Sequence, residues 1–242
     1  MMSAILSIQL SAFGNKKIIP NTENISVFMP KLKELSGIEF LPNIISTQKL
    51  DIETGSIENL PNLSFVSIDN KSQVVCTENR IDSIFNFDVT EQSDTDLYFD
   101  ISSKIISFIM QNGSVVANRL ALNVTHLSDV CNGNNVFEKQ VMHTVPFYQG
   151  KNIKEWSSRI NAFGQMSINR SIENLNIITE YTHTSQFTSG ETRIVCHTDI
   201  NTVAENKDFR FEYAIFDEFV SQAKDIFKSI QFDLEELVKN EE

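Results

Sequence analysis

The sequence predicts an α+β fold made of two antiparallel-sheet halves, each closed by a long amphipathic helix. Segments in which apolar and polar residues alternate recur along the chain, the period of half-buried strands. Short connections separate most of them, as antiparallel neighbours allow. Two long helical stripes, around 97–109 and 217–239, each follow a run of strands. The halves are expected at 1–112, an N-terminal antiparallel sheet with two helices, and 113–242, a C-terminal antiparallel sheet with the terminal helix, together one compact unit. The second half repeats the plan of the first, which leaves a structural pseudo-repeat open. No residue-level repeat and no low-complexity linker accompanies it.

The first strand is read from Ala4 to Phe13, where Leu6, Ile8, Leu10 and Ala12 alternate with Ser7, Gln9 and Ser11. Asn21 or Thr22 then caps a helix through Ser36, with Ile25, Phe28, Leu32 and Leu35 on one face and Gly37 as its stop. Pro30 inside this helix predicts a kink or a later start, because proline removes a backbone donor. Strands follow from Ile44 to Leu50, Leu63 to Ile68 and Gln73 to Thr77, the last two joined by a tight turn at Asp69-Asn70-Lys71. Ile81, Ser83, Phe85 and Phe87 continue the meander. Acidic and capping residues from Thr90 to Asp100 introduce a helix striped with Leu97, Ile101, Ile105, Phe108 and Ile109, ending at Asn112-Gly113.

In the second half Leu120, Leu122 and Val124 alternate with Arg119, Ala121 and Asn123, a strand. An irregular stretch from His126 to Lys151 follows, and long irregular loops in compact domains are often functional. Four strands are then expected: Ile160 to Ile168, Leu175 to Thr184, Arg193 to Thr202 and Phe209 to Ile215. The last helix, from about Asp217 to Lys239, puts Phe219, Ala223, Ile226, Phe227, Ile230 and Leu234 on one face. Phe232, Leu234, Leu237 and Val238 near its end are candidates for packing on a partner.

Composition narrows the function. A hydrophobic share of 41% with 21% charged residues fits a globular chain, and 18 Phe suit half-buried strands. The formal net charge of −12 argues against nucleic acid and against an anionic membrane surface, since both are gripped through Lys and Arg. Cys76, Cys131 and Cys196 are too few and too scattered for a disulfide framework or a zinc site, and their odd number suits a reducing compartment. The first residues lack a basic n-region and read as a strand, and no run is long enough to span a bilayer. A cytoplasmic setting is expected.

The segment Pro61-Asn62-Leu63-Ser64-Phe65-Val66-Ser67-Ile68-Asp69, then Val74-Val75, a helix, and Asn118-Arg119-Leu120-Ala121-Leu122-Asn123 resembles a sporadically distributed family of bacterial proteins of about 250 residues. Those chains carry a Phe-x-Ser-x-Asp hairpin, a helix, and an Arg-Ile/Leu-Gly-Leu strand, and they close with a strand, an acidic step and a helix. Ala121 stands here where the family has Gly, and the family's Pro-Pro lead-in to the first strand is missing. The resemblance implies an α+β fold and transfers no active site. The family's patchy distribution implies mobile-element or defence-type surroundings.

Catalytic motifs are lacking. There is no Gly-x-x-x-x-Gly-Lys-Ser/Thr phosphate loop, no Gly-x-Gly-x-x-Gly after a strand and no Gly-x-Ser-x-Gly elbow, so the reading leans away from an enzyme. The histidines are His126, His143, His183 and His197. Cys196 and His197 are adjacent on a strand and so point to opposite faces. His183 and His197 lie on neighbouring strands and, with Glu180 and Asp199, suggest either a two-His-plus-carboxylate site or polar residues on a solvated face. Asp94, Asp96 and Asp100 suit the positive end of a helix better than a calcium loop. Arg80, Arg119, Arg159, Arg170, Arg193 and Arg210 fall on or near strands, to converge on an anion or acidic partner or to pair across strands. Arg119, His143, His183, Arg193 and His197 are the candidates for ligand or partner binding, with no metal and no cofactor expected.

The function expected is a non-enzymatic protein-interaction or regulatory module of a bacterial mobile-element or defence-type system, with a protein partner. The alternative is a small-molecule-binding protein or enzyme with its site between the halves, His126 to Lys151 serving as its lid. Homo-oligomerisation through sheet edges is compatible with both.

Overall fold

The computed structural model describes residues 3–50, 52, 55–89, 94–131, 136, 147, 151, 153–184 and 192–239. Its strands are β1 (Ala4–Gly14), β2 (Phe40–Leu50), β3 (Ile57–Ser67), β4 (Ser72–Cys76), β5 (Arg80–Asn86), β6 (Ala117–Leu127), β7 (Glu155–Ile168), β8 (Ser171–Thr184) and β9 (Arg193–Thr202). The helices are α1 (Thr22–Ser36), α2 (Thr95–Gly113) and α3 (Phe216–Lys239). All nine strands form one antiparallel sheet in the order β2-β3-β4-β5-β1-β6-β9-β8-β7.

The α+β antiparallel character is as expected, but the two separate halves are not. β1 pairs with β5 on one edge and with β6 on the other, so the strand sets run into each other without a break. The cause is the composition of β1. Ile8, Leu10 and Ala12 are fully buried on one face, as are Leu120, Leu122 and Val124 opposite them on β6. Burying one leucine stabilises a fold by about 1.5–3 kcal/mol, and a ladder of such pairs outweighs leaving either edge in water.

The helices also depart from one lid per half. α2 lies over β1 and β5 and touches both α1 and α3, so the three form a continuous layer on one side of the sheet. Phenylalanines join the layer. Phe28 of α1 meets Phe65 of β3 and Phe108 of α2, with ring centroids 6.3 and 5.7 Å apart, and Phe99 of α2 meets Phe227 of α3 at 6.1 Å. One core cluster draws on both strand sets, and a smaller one, including Ile194, Cys196, Leu234 and Val238, lies under the end of α3.

Local signals set the helix ends. Asn21 Oδ1 accepts from the Asn24 amide at 2.8 Å, and Gly37 ends α1 at a φ of 72°, its amide donating to the Lys33 carbonyl. Pro30 neither delays nor splits α1, which runs through it from Thr22. Pro30 is exposed, and the carbonyl it leaves without a donor belongs to Ser26, also exposed, while Phe28 and Leu32 anchor the opposite side.

The expected strand from Phe209 to Ile215 is not formed. Its single rung is Phe211 opposite Ala117, followed by a 3₁₀ turn, Tyr213–Ile215, that leads into α3. β9 already occupies that edge of β6 from Ala121 onward, leaving only the end of β6 for Phe211. Arg210 secures the segment by a two-pronged bond to Glu173 (2.8 and 2.7 Å) and by donating to the Asn118 and Asp208 carbonyls.

Two features of this packing are testable. A Cβ at Gly14 would sit 2.2 Å from Val115 Cγ1, inside a buried contact. Gly14→Ala is expected to destabilise the fold by about 1–3 kcal/mol in chemical denaturation, and adding Val115→Ala to recover part of that loss as a coupling energy. His126 is 1% exposed, its ring edge-on to Phe227, and neither ring nitrogen has a hydrogen-bond partner among the described residues. Burial pushes its pKa down to about 4. As pH falls below about 6.5 the unfolded chain takes up a proton that folded His126 refuses, so stability drops until about pH 4 and then levels. The loss is expected to reach about 3 kcal/mol, and His126→Leu to remove this component from a pH series of urea melts.

Candidate functional site

Strand geometry sends alternate side chains to opposite faces, so the residues that do not enter the helix-covered core share the other face. No helix packs on that face among the described residues. The register aligns its side chains in cross-strand rows. At one end Arg80, Phe13 and Arg119 stand side by side on β5, β1 and β6. The next row is Asp82, Ser11, Ala121, Asn201, Asn176 and Phe163, running to β7. Then come Ile84, Gln9, Asn123, Asp199, Ile178 and Asn161, and last Asn86, Ser7, Thr125, His197, Glu180 and Arg159.

These side chains satisfy one another. Asp82 Oδ1 accepts from Ser11 Oγ (2.6 Å), Gln9 Nε2 (3.2 Å) and Arg80 Nε (2.6 Å). Asn201 Oδ1 accepts from Arg119 Nη2 at 3.0 Å while its Nδ2 donates to Asp199 at 2.9 Å. Thr125 Oγ1 and His197 Nδ1 are 3.1 Å apart. Ser11, Asp82 and Asn201 are buried by their neighbours on the sheet, and Phe163 at the far edge is 83% exposed. The face is thus a bonded lattice of amides, hydroxyls and paired charges, with apolar groups set into it.

Beyond the Arg80–Phe13–Arg119 row is a pocket of about 260 Å³ lined by Phe13, Asn79, Asn118, Arg119, Lys207 and Phe209, among others. The Phe13 ring carries a guanidinium on each side, Arg80 at 5.1 Å and Arg119 at 4.9 Å from its centroid.

The residues singled out from sequence divide between the two sides. Arg119 and His197 lie on the helix-free face three rows apart, His197 being opposite Thr125 and Arg119 six residues before Thr125 on β6. His183 does not meet His197. Its register partner is Ile194, three positions away from His197, and its parity is that of the core. It is buried and stacked on Trp156 at 6.0 Å, and burial lowers its pKa. The two-histidine arrangement with Glu180 and Asp199 is therefore not assembled. Arg193 is buried and donates to the Ser128 carbonyl at 3.1 Å. His143 lies outside the described residues.

Of the other arginines, Arg80 pairs with Asp82 two positions along the same strand, and Arg210, outside the strands, pairs with Glu173 of β8, so neither is a pair across two strands. Asp96 bonds Lys228 at 2.9 Å, which lowers its carboxyl pKa, so this part of the acidic cluster ties α2 to α3. Phe232 is exposed on α3, while Leu234 and Val238 are buried. Cys76, Cys131 and Cys196 form no disulfide, and burial pushes the Cys76 and Cys196 thiols up to about 12, away from nucleophilic thiolate. Among the described residues no group of three or more His, Cys, Asp or Glu is placed to hold a metal ion. No helix among them is long and apolar enough to cross a membrane.

Sequence reasoning missed Ser7, Gln9, Ser11 and Asn123 as functional candidates, because their alternation reads equally as an ordinary solvated strand face. It also missed Lys207, Asn79 and Asn118, which come from three separate turns and strand ends and carry no spacing signal.

No protein-family model matches this chain, and no curated protein matches it. Among solved structures, Methanococcus jannaschii TBP is similar at 10% identity with a TM-score of 0.29, over 99% of each chain.

Proposed function

We propose that this protein is a non-enzymatic interaction module that receives a protein partner on its helix-free sheet face. The observation that carries the proposal is the make-up of the four rows. They hold Ser, Thr, Asn and Gln at their centre with Phe13, Ile84, Ile178 and Phe163 interspersed, and they hold no Lys. Cores of protein interfaces are depleted in Lys and Glu and use apolar anchors with adaptable polar groups around them. A sheet face evolved only for solubility has no need of that pattern.

Charge supports a protein over a nucleic acid as partner. Arg80, Arg119 and Arg159 on this face are matched in number by Asp82, Asp199 and Glu180, and the whole chain carries −12. Phosphate recognition needs a surplus of cations instead. A cytoplasmic setting is part of the proposal, supported by three buried cysteines without a disulfide. The mobile-element or defence-type role rests on the family resemblance alone. A second copy of this chain is a competing occupant, since β2 and β7 end the sheet with long strands whose outer edges have no strand partner among the described residues.

A photo-crosslinking amino acid at Asn123 or Asn176, compared with one at exposed Asp225 on α3, tests the reading in host cells. The expected result is one protein captured in high yield from the sheet positions and not from Asp225. Capture from Asp225 alone, or equal background capture at all three, would refute it. Self-capture would replace the heterologous partner by a homo-oligomer.

A further inference from the structure

Arg119 is a half-buried cation on this face that bonds no carboxylate among the described residues, whereas Arg159, which bonds none either, is exposed to solvent at the sheet edge. The Arg119 side chain makes one hydrogen bond, from Nη2 to the neutral Asn201 amide, and its Nε is buried without a partner. No carboxylate lies within ion-pair distance of it among the described residues. Asp199 reaches it only through Asn201, which accepts from the arginine and donates to the carboxylate. Arg80 and Arg210, by contrast, each bond a carboxylate directly. A half-buried guanidinium costs desolvation that an anion would offset, and its planar fork suits a carboxylate.

The surroundings extend that chemistry. Arg119 opens on the pocket beside Lys207, which is exposed and has no carboxylate within ion-pair distance among the described residues. Asn79, Asn118 and Asn206 add side-chain amides to the lining, that of Asn118 donating to the Lys207 carbonyl at 3.5 Å, and none of the pocket's lining residues is acidic. Phe13 backs Arg119 from one side, and Phe209, 50% exposed at the rim, offers an apolar surface to a bound molecule. We infer that this pocket binds a small organic carboxylate, its anionic end against Arg119 and Lys207 and its apolar body beside Phe13 and Phe209. The pocket's ligand is independent of what covers the rest of the face, so the two proposals stand or fall separately.

Titration of the ¹⁵N-labelled protein with sodium benzoate, read at the Arg119 Nε–Hε and the Asn79 and Lys207 amide resonances, tests the inference without any substitution. Saturable shifts at these positions are expected, with affinity weakened about tenfold in Arg119→Gln and less in Lys207→Gln, which alters only an exposed loop side chain. An N-acetylated dipeptide ending in Phe separates two sources of the same chemistry: tighter binding than benzoate identifies a chain terminus, weaker binding a free acid, and both keep the pocket. Absence of saturable shifts with either probe overturns the inference. So does benzoate affinity unchanged in both variants, or inorganic phosphate binding more tightly than benzoate.

Discussion

The pairing of β1 with both β5 and β6 is the constraint from which the rest of the architecture follows. A strand whose two edges are both used joins whatever lies on either side, and here it turns two strand sets into one sheet. Its core face, Ile8, Leu10 and Ala12, is fully buried and continuous with Leu120, Leu122 and Val124 on β6. That continuity calls for one continuous apolar cover. α2, lying over β1 and β5 and touching both other helices, supplies it.

Placing every helix on one side leaves the other side to satisfy itself. Central antiparallel strands pack side chains about 5 Å apart on each face, so polar groups there bond to each other or to water. Asp82 gathers Ser11, Gln9 and Arg80, and Asn201 links Arg119 to Asp199. A lattice of this kind is rigid and presents its unused donors and acceptors in fixed positions. Preorganisation of that sort lowers the entropy cost of receiving a partner.

Much of the fold was legible in local pattern. The alternation in β1 from Ile8 to Ala12, the Asn21 cap and Gly37 stop of α1, the turn at Asp69-Asn70-Lys71, and the stripes of α2 from Ile101 and of α3 stand where short-range physics puts them. Leu97, however, is exposed, and a register shift between Ile5 and Ser7 buries Ile5 in place of Leu6. The segment from Phe209 to Ile215 shows where that physics stops. It alternates like a strand, yet a strand needs a free edge to pair with, and β9 holds most of that edge of β6. The same limit governs the site. His183 and His197 sit fourteen positions apart on paired strands, and only the register reveals that they face opposite sides and three rungs apart. Arg119 was legible as a candidate from its strand position, whereas its lack of a carboxylate was not, since any of the 32 acids in the chain was available to it.

By itself the sequence determined the kinds of elements, most of their ends, the acidic balance, and the absence of common catalytic motifs, because each depends on residues within a few positions of one another. The tertiary structure decided that the sheet is single, that the helices share one side, that His183 enters the core while His197 does not, and that Arg119 meets Lys207 across a pocket. Those outcomes depend on which strand edges pair and in what register, a choice made by the summed burial of distant residues that no local pattern encodes.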